Sequence, residues 1–122
     1  LTLGLVDVDG FKQVKGAHGH RAGDGLIRQL GRRLRHCLGE DAFIARTGGD
    51  EFVVIVQDPD AAGWLRERIG GAFGPMTHAG KRLMVTGSVG VARHRPGENS
   101  DALLARADAR MYAQKALLKS FR

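Results

Sequence analysis

The chain has 122 residues of which 43% are hydrophobic, enough for one core and too few for a second domain, so residues 1–122 are read as a single domain. Its 19 basic and 13 acidic residues are balanced enough to exclude disorder, and the single cysteine, Cys37, excludes an internal disulfide and reads as core packing. No apolar run approaches the roughly 18 residues of a membrane span, and the first residues lack the features of a signal peptide. A cytoplasmic domain without membrane contact is therefore expected. The strand-like start at Leu1-Thr2-Leu3, without methionine, points to excision from a longer protein, in which any membrane anchor or sensor would lie upstream. The formal charge of +6 invites a polyanion, either a nucleoside triphosphate or nucleic acid. Many of the cations, Arg28, Arg32, Arg33 and Arg35 among them, fall on one expected helix and read as a solvated face.

Residues 1 to 9 alternate as a mostly buried strand that ends in the carboxylates Asp7 and Asp9. After Gly10, a short helix from Phe11 to Ala17 stops at Gly19. A longer one follows, with Ile27, Leu30, Leu34 and Leu38 on one apolar face. Ala42 to Arg46 and Phe52 to Gln57 read as short strands, joined through Thr47-Gly48-Gly49-Asp50 as a hairpin. Residues 60 to 72 read as a covering helix with Ala61, Leu65 and Ile69 four apart. A strand from about 82 to 93 follows, in which Gly87 and Gly90 mark a bend or close packing. Pro96 and Gly97 then break the chain, and Ser100 is placed to cap a last helix with the stripe Leu104, Ala107, Met111 and Leu118. The order β-α-α-β-β-α-β-α predicts an α/β (α+β) fold with a mixed, mostly antiparallel central sheet flanked by helices.

Asp7 and Asp9, two apart on a strand, share a face, and Asp50 and Glu51 form a second acidic pair on the hairpin. Four carboxylates able to converge would repel one another unless a cation neutralised them. Hard oxygen ligands beside an open approach suit Mg²⁺ or Mn²⁺ carrying a triphosphate, the chemistry of metal-assisted phosphoryl or nucleotidyl transfer. Gly48 and Gly49 permit positive φ and let a ligand approach bare backbone. An ordinary glycine turn is the plain alternative. The string Gly48-Gly49-Asp50-Glu51-Phe52 arises by chance in a chain of this length on the order of once in ten thousand, whereas Asp-x-Asp alone is common.

That string, with Asp7-Val8-Asp9-Gly10-Phe11-Lys12, Gly19-His20-Arg21-Ala22-Gly23-Asp24, Ser88-Val89-Gly90-Val91-Ala92 and Ala107-Asp108-Ala109-Arg110-Met111-Tyr112, resembles the GGDEF domain of the diguanylate cyclase family along nearly the whole chain. The resemblance implies a fold like the palm of nucleotide cyclases and polymerases. It implies metal ligation by Asp7, the backbone carbonyl of Val8, Asp50 and Glu51, with Asp50 also the general base. It further implies that the backbone from Gly10 through Phe11 to Lys12 cradles the terminal phosphates, that Lys115 helps neutralise them, and that Gly48, Gly49 and His20 lie at the substrate. Asp24 would accept from guanine N1–H and the exocyclic amine, which makes the ligand GTP. His18 and His20 without a third ligand read as turn or packing residues rather than a metal site. In this family two GTP become cyclic di-GMP and two pyrophosphates. One domain holds one GTP, so the resemblance implies catalysis by a homodimer, usually driven by an upstream sensor or receiver domain.

Three departures stand out. Lys15-Gly16 occupies the place of the family's Asn-Asp, so a guanine-reading amide becomes a donor-only ammonium. Lys119 stands where an arginine is usual, replacing a forked phosphate contact with a point charge. Gly39 and Ala42 occupy the ends of the Arg-x-x-Asp inhibitory motif, so no feedback site is expected, and the helical segment that usually precedes the first strand is not in this chain. The leading function is a diguanylate cyclase. The alternatives are a non-catalytic GGDEF domain that binds GTP or regulates an attached effector, and, on charge alone, a nucleic-acid-binding module, which the absence of interleaved aromatics opposes.

Overall fold

Alternation along the first strand divides the core in two. In β1 (Thr2–Val8), Val6 and Val8 enter one hydrophobic cluster while Leu3 and Leu5 enter another, as the two-residue period of a strand requires. The computed structural model describes residues 1–120, with side chains through residue 117. Leu118 and Lys119 lie outside the side chains described. After β1 come α1 (Phe11–His18), α2 (His20–Leu38), β2 (Phe43–Arg46), β3 (Glu51–Val56), a 3-10 turn (Ala61–Gly63), α3 (Leu65–Gly70), β4 (Gly74–His78), β5 (Lys81–Val85), β6 (Gly87–Arg93) and α4 (Ser100–Ser120). The main sheet has the order β2-β3-β1-β6, and each of its pairings is antiparallel.

The α2 stripe of Ile27, Leu30, Leu34 and Leu38 is buried with Leu65 and Ile69 of α3 on the Val6 face. Cys37 packs against this cluster. Leu103, Ala107 and Met111 of α4 cover the Leu3 face. This is the expected mixed α/β architecture, in which β1 lies between β3 and β6 and delivers its C-terminal end beside the β2–β3 hairpin.

Four local expectations are corrected. The stretch from 82 to 93 is two strands, because the Phe73 ring occupies the space that a Cβ on Gly87 would need and β5 leaves the main sheet to pair with β4. That second hairpin turns at Ala79 and Gly80, both at positive φ (50° and 77°). Residues 60 to 72 are not one helix but a 3-10 turn followed by the six residues of α3. The cap of α4 comes from Asn99, whose Oδ1 accepts from the Ala102 amide at 2.8 Å, rather than from Ser100. The α4 stripe runs through Leu103 instead of Leu104, which is 37% exposed.

Helix α4 also closes the outer edge of β6. Gln114 accepts from the Val89 amide, Arg110 donates to the Val91 carbonyl at 2.6 Å, and Arg106 donates to the Arg93 carbonyl. The three side chains are four residues apart on one helix face, matching the alternate backbone groups of the strand. Gly90 brings the two backbones together, since a Cβ there would overlap the Ala107 carbonyl and the Met111 amide. Among the described residues no helix is long and apolar enough to cross a membrane.

Arg106 forks onto both oxygens of Glu98 at 2.7 Å, and this hydrogen bonding holds the Glu98 carboxyl down to about 2. A carboxyl depressed in the folded state adds stability above its unfolded value near 4.5 and loses it as pH falls toward 2. Thermal melts of Glu98→Gln between pH 5 and pH 2 are expected to show a flatter acid limb than the parent; an unchanged limb would refute the assignment.

Candidate active site at the ends of β1 and the β2–β3 hairpin

Register places the acids. Asp7 lies directly opposite Glu51 in the β1–β3 pairing, and the Val8 amide donates to the Asp50 carbonyl at 3.0 Å, so the end of β1 is tied to the hairpin by backbone. Phe52, 4% exposed, anchors β3 in the core directly behind them. Lys115 of α4 donates to Asp7 Oδ2, while Asp7 Oδ1 is buried without a hydrogen-bond partner.

Burial pushes the Asp7 carboxyl up, against the Lys115 hydrogen bond and with added repulsion from Asp50. Burial likewise raises Glu51, helped by the negative charges of Asp7, Asp108 and Asp50. For Lys115, burial works against the charge, but the Asp7 hydrogen bond and the surrounding carboxylates outweigh it and the ammonium is pushed up.

Asp9 does not complete a ring of four carboxylates. It accepts from Ser88 Oγ at 2.8 Å and from Thr86 Oγ1 at 3.3 Å, which ties it toward β6. Among the described residues, no three acidic, imidazole or thiol side chains are grouped closely enough to hold a metal ion together. At this end of the strand the buried Asp7 Oδ1 is left as an acceptor without a protein partner.

The hairpin loop departs from expectation in its glycines. Neither Gly48 nor Gly49 has positive φ. Their contribution is openness: both are exposed, nothing surrounds a Cβ built on Gly49, and both carbonyls face Arg46, whose Nε donates to Gly48 at 3.1 Å and Nη2 to Gly49 at 2.8 Å. The same guanidinium stands 3.6 Å from Asp24 Oδ1 on the exposed first turns of α2. Sequence reasoning missed Arg46, because a strand arginine two residues before a glycine pair carries no local signal of a tertiary contact.

Gly10 has φ 66° and turns the chain from β1 into α1, leaving the start of that helix, with Phe11 buried and Lys12 exposed, beside the acidic end. Lys15 lies over the Phe11 ring at 5.2 Å, and its stem fills the space that a Cβ on Gly23 would take, one residue from Asp24. His20 is exposed at the first position of α2, and His18 is half-buried with an unpartnered Nδ1. The sequence-predicted residues thus divide into an acidic centre with Lys115 and a rim formed by α1, α2 and the hairpin.

Residues 1–119 match the family model described as diguanylate cyclase, GGDEF domain. The chain belongs to the GGDEF domain family. It is 35% identical over 119 residues to diguanylate cyclase DgcP of Pseudomonas aeruginosa, and 39% identical over 119 residues to response regulator PleD of Caulobacter vibrioides. Those alignments take in 94% and 92% of this GGDEF domain but 18% and 26% of the two relatives, so the chain spans about a quarter or less of their length. The crystal structure of diguanylate cyclase SiaD in complex with its activator SiaC, from Pseudomonas aeruginosa, superposes with a TM-score of 0.86 at 34% identity, covering 94% of this chain and 46% of that one. Cyclic di-GMP synthesis is the general function of this family.

The raised carboxyls of the GGDEF site predict a linked stability effect. A carboxyl raised on folding costs stability once ionised, so the cost is present above its folded value and absent at low pH. In EDTA, Glu51→Gln should melt at or above the parent temperature at pH 8, with the difference gone by pH 4, and added Mg²⁺ should raise the parent melting temperature more than the variant's. A variant less stable than the parent at pH 8 in EDTA would contradict the repulsion described.

Proposed function

We propose that this domain is a diguanylate cyclase that condenses two GTP into cyclic di-GMP and two pyrophosphates across a homodimer. The observation that carries the reading is the buried, unpartnered Asp7 Oδ1 opposite Glu51 and beside Asp50, with Lys115 behind it. Repelling acids at one end of a strand fit a divalent cation, and Asp7, the Val8 carbonyl, Asp50 and Glu51 are the residues that would hold Mg²⁺ or Mn²⁺. When bound, the cation would neutralise triphosphate charge and polarise the α-phosphate.

The chain's own groups account for the other roles. Backbone amides from Gly10 through Phe11 to Lys12 open a helix and suit the terminal phosphates, Lys115 offsets their charge, and Lys119 adds to it. Bare backbone at Gly48 and Gly49 leaves room for the nucleotide, and His20 lies on the same rim. Asp24 accepts from guanine, with Lys15 as a neighbouring donor. Asp50 takes the proton from a 3′-hydroxyl as its oxygen bonds to the α-phosphate of the facing nucleotide. The α–β phosphoanhydride then breaks and pyrophosphate departs with the bond electrons. Because each domain supplies one nucleotide, a second copy is needed, and an upstream sensor or receiver domain in the full-length protein is the natural means of pairing them.

A second reading, a non-catalytic GGDEF domain that binds GTP or regulates an attached effector, is favoured by the altered C-terminal segment with Lys119 and by Lys15. Its ammonium is engaged with Phe11 in the place where the resemblance puts an asparagine. Nothing beyond net charge favours a nucleic-acid ligand.

The test is product formation from GTP and Mg²⁺ by the domain fused to a constitutive dimeriser. Cyclic di-GMP is expected, and Asp50→Ala should lower its rate by at least about 100-fold. No product from a folded dimer would leave the regulatory reading. Lys15→Asn should raise the preference for GTP over ATP by roughly tenfold, the size of one recovered polar contact to the base, and an unchanged ratio would place Lys15 outside base recognition.

A further inference from the structure

Arg46 touches both the hairpin loop and the start of α2. Its fork spends Nε on the Gly48 carbonyl and Nη2 on the Gly49 carbonyl, and the same Nη2 stands 3.6 Å from Asp24 Oδ1. At that separation the guanidinium pairs with the carboxylate by charge without a hydrogen bond, so the lone pairs of Asp24 stay available to a ligand. Asp24 itself is 57% exposed in its side chain, and no other ion pair among the described residues involves it. The carboxylate rides on α2 and the carbonyls on the β2–β3 loop, two elements otherwise joined near this point through the buried Phe52 ring against Gly31.

We propose that Arg46 is a positioning residue for nucleotide recognition: it fixes the Asp24 carboxylate relative to the Gly48-Gly49 backbone, and so sets the distance between the base-reading residue and the open loop that leaves room for the nucleotide. This rests on the reading of Asp24 as the guanine acceptor. Three features of the contact support it. The fork holds two successive carbonyls, which orients a loop whose glycines have no side chains to orient it. The remaining positive charge faces the one carboxylate on the α2 rim. The pair is also exposed enough that its contribution to folding is small, as for surface ion pairs generally, so its geometry matters more for what the two halves bind together than for the stability of the domain.

Lysine in place of Arg46 keeps the charge near Asp24 but cannot fork across two carbonyls, and glutamine keeps a donor for the loop but loses the charge. Acting through Asp24, Arg46 should matter for guanine and hardly at all for adenine, which lacks the N1–H and the 2-amino group from which Asp24 would accept.

The experiment is calorimetric binding of GTP and of ATP, each with Ca²⁺ to suppress turnover, to the parent chain and to the Arg46→Lys, Arg46→Gln, Asp24→Asn and Arg46→Gln/Asp24→Asn variants, with melting temperatures as the fold control. The expected result is a parent that prefers GTP, a roughly tenfold loss of GTP affinity in Arg46→Gln with ATP affinity unchanged, a smaller loss in Arg46→Lys, and no further loss when Arg46→Gln is added to Asp24→Asn. A purely structural role would weaken both nucleotides together and lower the melting temperature, which would overturn the proposal. Equal loss of GTP affinity from Arg46→Gln in the presence and absence of the Asp24 carboxylate would also overturn it while leaving the cyclase reading intact. A parent that binds GTP and ATP alike would overturn both.

Discussion

Two carboxylates placed face to face across an antiparallel strand pair are the constraint on which this molecule is organised. Asp7 and Glu51 occupy opposite positions in the β1–β3 ladder, an arrangement that costs folding free energy, typically some tenths of a kcal/mol even where water screens it. Burial of Asp7 increases the cost, and among the described residues the cation that reaches it is Lys115, over a hundred residues away in the chain. The fold therefore maintains a local conflict by means of distant packing. Such conflicts persist when the surroundings leave no alternative geometry, and here the Val6 and Leu5 cores on either face of β1 hold the strand in register.

The two faces of the sheet serve the site differently. The face covered by α2 and α3 supports the rim, because the start of α2 carries Asp24 and α1 brings Lys15 against Gly23. The face covered by α4 supports the acidic centre, because the helix passes along β6 and β1 and carries Lys115 to Asp7. Arg46 links the rim to the loop, while Ser88 and Thr86 hold Asp9 apart from the other acids. A chain with only local structure could present any one of these groups. It is the antiparallel order β2-β3-β1-β6 that brings them to one end.

Much of this was legible in the sequence where the signal is periodic or rare. The α2 stripe from Ile27 to Leu38, the alternation in β1 and the hairpin carrying Gly48 to Phe52 all depend on near neighbours in the chain, and the structure contains them. What escaped depends on distant partners. The β4 strand begins Gly74-Pro75, which reads as a loop until its pairing with β5 is known. Leu103 and Leu104 are equivalent on paper, and only the sheet beneath α4 selects the first. Gly48 and Gly49 offered a backbone freedom that the loop does not use. Asp9 looked like a fourth converging acid because a two-residue strand period says nothing about hydroxyls waiting at Thr86 and Ser88.

The contact at Gly90 has a consequence for how variation in this protein would be read. Its missing Cβ lets the α4 backbone lie directly on β6, and the same helix carries Lys115 to Asp7 about two turns further on. Any side chain at position 90 acts as a shim that lifts the helix, and because the helix is stiff the displacement is carried to its far end. A substitution at an inconspicuous strand glycine would then present as a charge defect in the acidic centre, with every residue of that centre intact. In this fold the interval between a lysine and an aspartate is gauged by a hydrogen atom on a third residue.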